Sequence, residues 1–346
     1  MKKTLIALAA LAATASFAQS SVTISGLIDA SYHAVSGNGT TATTKLNSIS
    51  TSVGSATSAI NLNVLEDLGG GMKAQAFYAF DPRANINNST NGIGRHEAYV
   101  GLSGGFGNLR LGSINTASLL ANGAGNVFGT ATGGAYANTE TAAGGQIRFN
   151  NSLRYDTPSF SGFSANVTYS PGNKDATSGG AAPQFTDVGL SYSNGPLNVV
   201  FSSLTRSAYV AQDALAIVSQ VGSTVNGYAA VTAGVKTTYN LLGANYAIGN
   251  AKVFAAYGDG DKSGTGGVDS KLARVGATYT MGAVTLLGQY SELELGTAAK
   301  RKATGLRADY ALSKRTAAYA GYEAYDSGAT SANKINTAMV GLRHSF

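Results

Sequence analysis

The residue types that carry chemistry are sparse in this chain, and their spacing suits little of it. The run "GLSGG" at 101–105 fits the G-x-S-x-G pattern of a hydrolase nucleophile. That pattern works on a turn from strand into helix, which exposes the serine hydroxyl. Here "FGNLRLGS" follows and alternates like a second strand, so Ser103 is expected on a hairpin without chemistry. The run "DGDKSG" at 259–264, with Asp269 beyond it, resembles the start of a calcium loop. Its twelfth position is Ser270 where such a loop carries a bidentate Glu, and no helical pattern flanks it. It reads as an outer loop. His33, His96 and His344 fall on separate segments and there is no Cys. No catalytic constellation, metal site or cofactor is assigned.

The remaining chemistry is the charge of isolated side chains, so the elements that position them matter. Of 346 residues, 44% are hydrophobic but only 12% are charged, about half the usual share. Gly is abundant at 45 residues and Pro scarce at 5. The N-terminus has a basic "MKK", an apolar "TLIALAALAATA" and a small-residue "SFA" ending at Ala18. Residues 1–18 are therefore read as a cleaved secretory signal. Removing Lys2 and Lys3 takes the net charge from +6 to +4, which is no nucleic-acid footprint. An exported chain without Cys has no disulfide framework to hold it.

From residue 19 onward, alternation dominates and no long helical period appears. In "SVTISGLIDASY", Val22, Ile24, Ile28 and Tyr32 share one face, and Thr23, Ser25, Asp29 and Ser31 share the other. Ile60, Leu62 and Val64 alternate with Asn61 and Asn63, and Ala74, Ala76, Tyr78 and Phe80 follow the turn "EDLGGG". Further hairpins turn near Gly104–Gly107, Pro158–Gly162, Asn194-Gly195, Met281-Gly282 and Leu312–Lys314. Asn-Gly is the strongest short hairpin signal. About sixteen strands are expected. Short turns alternate with long Gly/Ser/Thr/Asn segments near 34–57, 81–94, 114–147, 171–185, 205–232, 258–269, 295–300 and 326–333. Segment 207–223 is too apolar for a surface loop and fits a short helix, a strand extension or an interface.

Tight turns at one end and long loops at the other are the pattern of an all-β transmembrane antiparallel barrel of the outer membrane. Strands of about ten residues cross the hydrocarbon when tilted. A closed barrel pairs every backbone polar group, and its lipid face excludes charge, which accounts for the low charge content. Arg95, Arg148, Arg154, Arg307 and Arg343 all lie opposite the Leu/Val/Tyr face of their strands and are expected in the lumen. Some are expected to pair with inward acids such as Glu97 or Asp309. Tyr32, Phe80, Tyr155, Phe163, Tyr192, Tyr310 and Phe346 suit aromatic girdles, and the His residues are placed near the membrane edges. The terminal "AMVGLRHSF" alternates to its last residue, so it is expected to close the barrel against the first strand.

The segments "EDLGGGMKA", "HEAYVGLSGGFGNLRLG", "NNSLRYDTPSFSGF" and "GLRHSF", in that order, resemble the general porins of Gram-negative bacteria, of the betaproteobacterial type. The resemblance runs over residues 19–346. It implies a sixteen-stranded barrel, a homotrimer among outer-membrane lipid and lipopolysaccharide, and passive diffusion of small hydrophilic solutes and ions. It implies that loop 114–147 folds into the lumen as a constriction. Arg95 and Arg148 carry over as basic lining, with Arg110, Arg154 and Arg307 as further candidates and Glu140 as the loop's acid. Ala59 and Ser113 stand where the family usually has Arg, so selectivity is expected to be weak. In that family a C-terminal aromatic, here Phe346, marks the chain for the outer-membrane assembly machinery. An outer-membrane barrel enzyme (protease or lipase) and an adhesin or receptor barrel are the alternatives.

Overall fold

The computed structural model describes residues 20–38, 43–50, 55–80, 96–172, 183–207, 216–220, 223–226, 236–262, 268–328 and 334–346. The expected leader 1–18 and Arg95 lie outside them. The strands in the first half are β1 (Ser21–Asn38), β2 (Thr43–Ser50), β3 (Ala59–Gly69), β4 (Met72–Phe80), β5 (Ala98–Gly104), β6 (Gly107–Asn115), β7 (Arg148–Asp156), β8 (Phe163–Ser170), β9 (Gln184–Asn194) and β10 (Leu197–Ser207). Then come β11 (Ala216–Gln220), β12 (Ser223–Asn226), β13 (Lys236–Ile248), β14 (Ala251–Lys262), β15 (Ser270–Met281), β16 (Val284–Leu295), β17 (Arg301–Ala311), β18 (Thr316–Asp326) and β19 (Lys334–Ser345).

Every pairing is antiparallel, and β1 with β19 closes the sheet, from Leu27 opposite Ser345 to Gly37 opposite Ile335. Phe346 completes the seam: its N–H donates to the Gly26 carbonyl at 3.0 Å, and the Gly26 N–H donates back at 3.1 Å. One wall position is split. The upper part of β1 pairs with β2 and the lower part with β3, so the two strands share one place in the wall. β11 and β12 form a hairpin separate from the main sheet. That leaves the sixteen-stranded barrel that the alternation implied. Segment 207–223 therefore contributes to a strand pair outside the wall.

The pattern is inside-out relative to a water-soluble domain. Val22, Ile24, Val100 and Leu306 are more than half exposed, whereas Asp29, Thr168, Asp187, Ser202 and Ser291 are 0% exposed. A lipid-facing exterior requires this inversion. The hairpin at Asn194-Gly195 places Gly195 at φ +55° and the one at Met281-Gly282 places Gly282 at φ +58°, a region where only glycine is unstrained. "GLSGG" lies on the β5–β6 hairpin, strand to strand, as expected.

His33 faces inward, 1% exposed, on the parity it shares with Asp29 and Ser31, and its Nε2 bonds with Ser31 Oγ at 2.8 Å. One expectation on placement is corrected. Asp259 and Asp261 are not in a loop. β14 continues through them because β13 pairs alongside as far as Thr237 opposite Lys262.

Candidate functional site

Residues 116–147 leave the wall after β6 and return at β7. They hold helix α1 (Ala117–Gly125) and a π-helical turn (Ala137–Thr141). The helix starts on Thr116, whose side chain accepts the Leu119 N–H at 3.0 Å, a standard N-cap. Its alanines then meet apolar residues on the inward face of the wall. Ala121, Ala124 and Ala143 cluster with Val200, Tyr239, Leu241, Leu272 and Leu293. Inward leucines would be misplaced in a water-filled tube; here they are covered by the inserted segment.

Close approach requires wall positions without side chains. A Cβ on Gly243 would stand 1.9 Å from the Ala121 carbonyl oxygen, and one on Gly305 would stand 1.9 Å from that of Gly133. Both glycines seat the segment's backbone against the wall.

Wall carboxylates hold that backbone. Asp187 accepts the Ser118 N–H at 3.1 Å, in the first turn of α1, and Ser202 Oγ at 2.8 Å. A carboxylate there also complements the helix dipole. Glu323 accepts the Gly133 and Ala135 N–H groups at 2.7 and 2.8 Å. From the opposite direction, wall side chains donate or accept: Asn245 Nδ2 to the Ala124 carbonyl at 2.8 Å, and Gln289 Oε1 from the Val127 N–H at 2.8 Å.

Glu140 was expected to face basic groups from the loop. It is 0% exposed, and its partner is Arg274, also buried, at 3.3 Å. Arg274 Nη1 also donates to Asn122 Oδ1 at 2.9 Å and its Nε to Ser291 Oγ at 3.1 Å. Burial raises the Glu140 carboxyl above its ordinary value, and the Arg274 charge opposes that rise. Glu140 is thus a docking group between segment and wall.

Arg110 and Arg154 sit opposite each other on β6 and β7. Asp156 bonds to both, at 2.6 Å and 2.7 Å, and Glu97 lies 3.6 Å from Arg110. Arg148, at the start of β7, donates from Nε to Asn115 Oδ1 at 3.0 Å and is partly exposed. Arg307 bonds Asp309 at 2.7 Å, and Arg343 reaches the same carboxylate at 3.0 Å. Arg154 and Arg307 are buried on the inward parity read from the sequence, and Glu97 and Asp309 are among the acids that pair with such arginines. Arg274, Asp187 and Glu323 were not singled out. Their signal was present: each is a charge on the inward parity of an apolar-outward strand.

Residues 4–330 match the family model described as Gram-negative porin. The chain belongs to the Gram-negative porin family. This porin is 31% identical over 381 residues to outer membrane porin protein 32 of Delftia acidovorans, covering all of both chains. It is 31% identical over 370 residues to the major outer membrane protein P.IB of Neisseria lactamica, again covering all of both. Among solved structures, it superposes on the anion-selective porin from Comamonas acidovorans with a TM-score of 0.77 at 24% identity, covering 95% of this chain and 100% of that one. The porin is an outer-membrane channel, and the barrel-enzyme alternative falls to that assignment.

Proposed function

We propose that this porin passes small hydrophilic solutes and ions passively, with segment 116–147 setting the width of the lumen. The observation that carries this is the seating of the segment on inward-facing wall residues from β9 to β18. Such a segment removes cross-section from a tube wide enough to conduct water. Charge then biases what passes. Asp187 and Glu323 spend their charge on main-chain amides, Glu140 on Arg274, and Asp156 on two arginines. Arg148 stays partly exposed, and Arg95, outside the described residues, is assigned to the lumen on sequence parity alone. Selectivity is therefore weak and leans toward anions, with Arg110, Arg154 and Arg307 acting as paired structural lining.

The family supports a homotrimer set in outer-membrane lipid and lipopolysaccharide. Residues 1–18 serve export, and Phe346 serves recognition by the outer-membrane assembly machinery. Planar-bilayer recording tests the central claim. Open, ohmic channels with a small reversal potential across a salt gradient are expected. Absence of conductance from folded protein, or strong cation selectivity, would overturn it. Unheated gel mobility reads the trimer.

A further inference from the structure

A second stretch of chain leaves the wall. β2 and β3 occupy one strand position, and residues 55–58, the described part of the chain between them, have no place in the β1 ladder. The described sequence there, "SATS" at 55–58, holds only small residues. Such a run offers nothing to a lipid face and fits a crowded interior.

Asp29 pins it. This carboxylate is 0% exposed. One oxygen accepts the Ser55 N–H at 2.9 Å, the Ser55 hydroxyl, and the Ala56 N–H at 3.2 Å. The other accepts the Tyr319 hydroxyl. Ser58 replaces the missing ladder partner: its Oγ accepts the Asp29 N–H at 2.9 Å and donates to the Asp29 carbonyl at 3.2 Å. Ser55 then covers two lumen arginines. Its carbonyl accepts Arg307 Nη1 at 3.2 Å, and its hydroxyl oxygen accepts Arg343 Nη1 at 3.3 Å. Thr57 reaches across to Thr130 of segment 116–147, oxygen to oxygen at 3.4 Å. Arg307 completes the junction, with its guanidinium 5.3 Å from the centre of the Phe128 ring.

We propose that residues 55–58 are a second constriction element, pinned by Asp29, which narrows the lumen beside segment 116–147 and shields Arg307 and Arg343 from permeating ions. Asp29 is a positioning residue: it touches no solute and acts through Ser55. The proposal rests on the channel reading, which the unmodified protein tests separately by conducting or not.

The native chain has no Cys, so a Thr57→Cys variant carries a single thiol. Water-soluble methanethiosulfonates of opposite charge are applied to the folded channel in a planar bilayer, with labelling confirmed by mass. Reduced conductance is expected with either reagent, and the reversal potential should move toward anions with the cationic reagent and toward cations with the anionic one. Absence of labelling, or labelling without either change, overturns the proposal. Asp29→Asn is the second arm. Where it folds, larger conductance and a shift toward anions are expected, because the segment loosens and both arginines are uncovered. A folded Asp29→Asn channel indistinguishable from wild type overturns the positioning role. Failure of that variant to fold leaves the thiol experiment to decide alone.

Discussion

Arg274 of the wall and Glu140 of the inserted segment meet at 3.3 Å with neither side chain exposed. Removing one member of a buried pair strands the other, at a cost of about 3–5 kcal/mol. Arg274→Ala should therefore dislodge the segment locally while the sixteen-stranded wall persists. Single-channel recordings should show larger, noisier openings. Quiet openings of unchanged size would mean that the pair does not hold the segment. Glu140→Gln, which keeps shape and removes the charge, should be milder.

Gly305 offers a steric version of the same test. Its absent side chain leaves room for the Gly133 carbonyl, 1.9 Å from where a Cβ would sit. Gly305→Val should push the segment off the wall and raise conductance. Heat-modifiable gel mobility should stay normal, since the strand itself tolerates valine.

Asp156 bonds Arg110 and Arg154, which face each other across β6 and β7. Asp156→Asn leaves two cations opposed. Thermal unfolding should show a loss of about 1–3 kcal/mol, and the reversal potential should move toward anions. A shift toward cations would contradict the placement of these groups on the lumen.

Arg148 is partly exposed and held by Asn115 at 3.0 Å. Arg148→Ala should move the reversal potential toward cations, and more so when combined with Arg95→Ala. An unchanged potential in the double variant would reduce both to structural filler.

Phe346 closes the seam with Gly26 through two main-chain hydrogen bonds. Deleting it should lower the amount of porin recovered from the outer membrane several-fold. The unit conductance of what does assemble should be unchanged, because Phe346 faces away from the lumen. Normal yield would remove its role as an assembly mark.

The barrel was legible because a two-residue period is rigid: in β1, Val22, Ile24, Ile28 and Tyr32 had one destination and Asp29 and Ser31 the other. The same period placed Arg154 and Arg307 inward. It failed where composition was given more weight than pairing, as at Asp259 and Asp261, which continue a strand. It also gave no view of the inward leucines, Leu241, Leu272 and Leu293. Alternation reports which face a residue takes, and what covers that face depends on a segment distant in the chain. Glu140 shows the same limit. Its type and loop suggested a lining charge, and its partner lies 134 residues away.

The anchoring of segment 116–147 has a consequence for how such channels diversify. Asp187 and Glu323 grip main-chain amides, Gly243 and Gly305 receive main-chain carbonyls, and Asn245 and Gln289 also bond to backbone. Much of the recognition code is written on the wall and answered by backbone atoms, and Glu140, Asn122 and the small residues Ala121, Ala124 and Gly125 supply the rest from the segment. Side chains pointing from that segment into the water can be exchanged without renegotiating its attachment. A scaffold of this kind separates retention from selectivity, so a grafted segment of equal length that keeps those docking residues should settle into the same seat and bring its own filter.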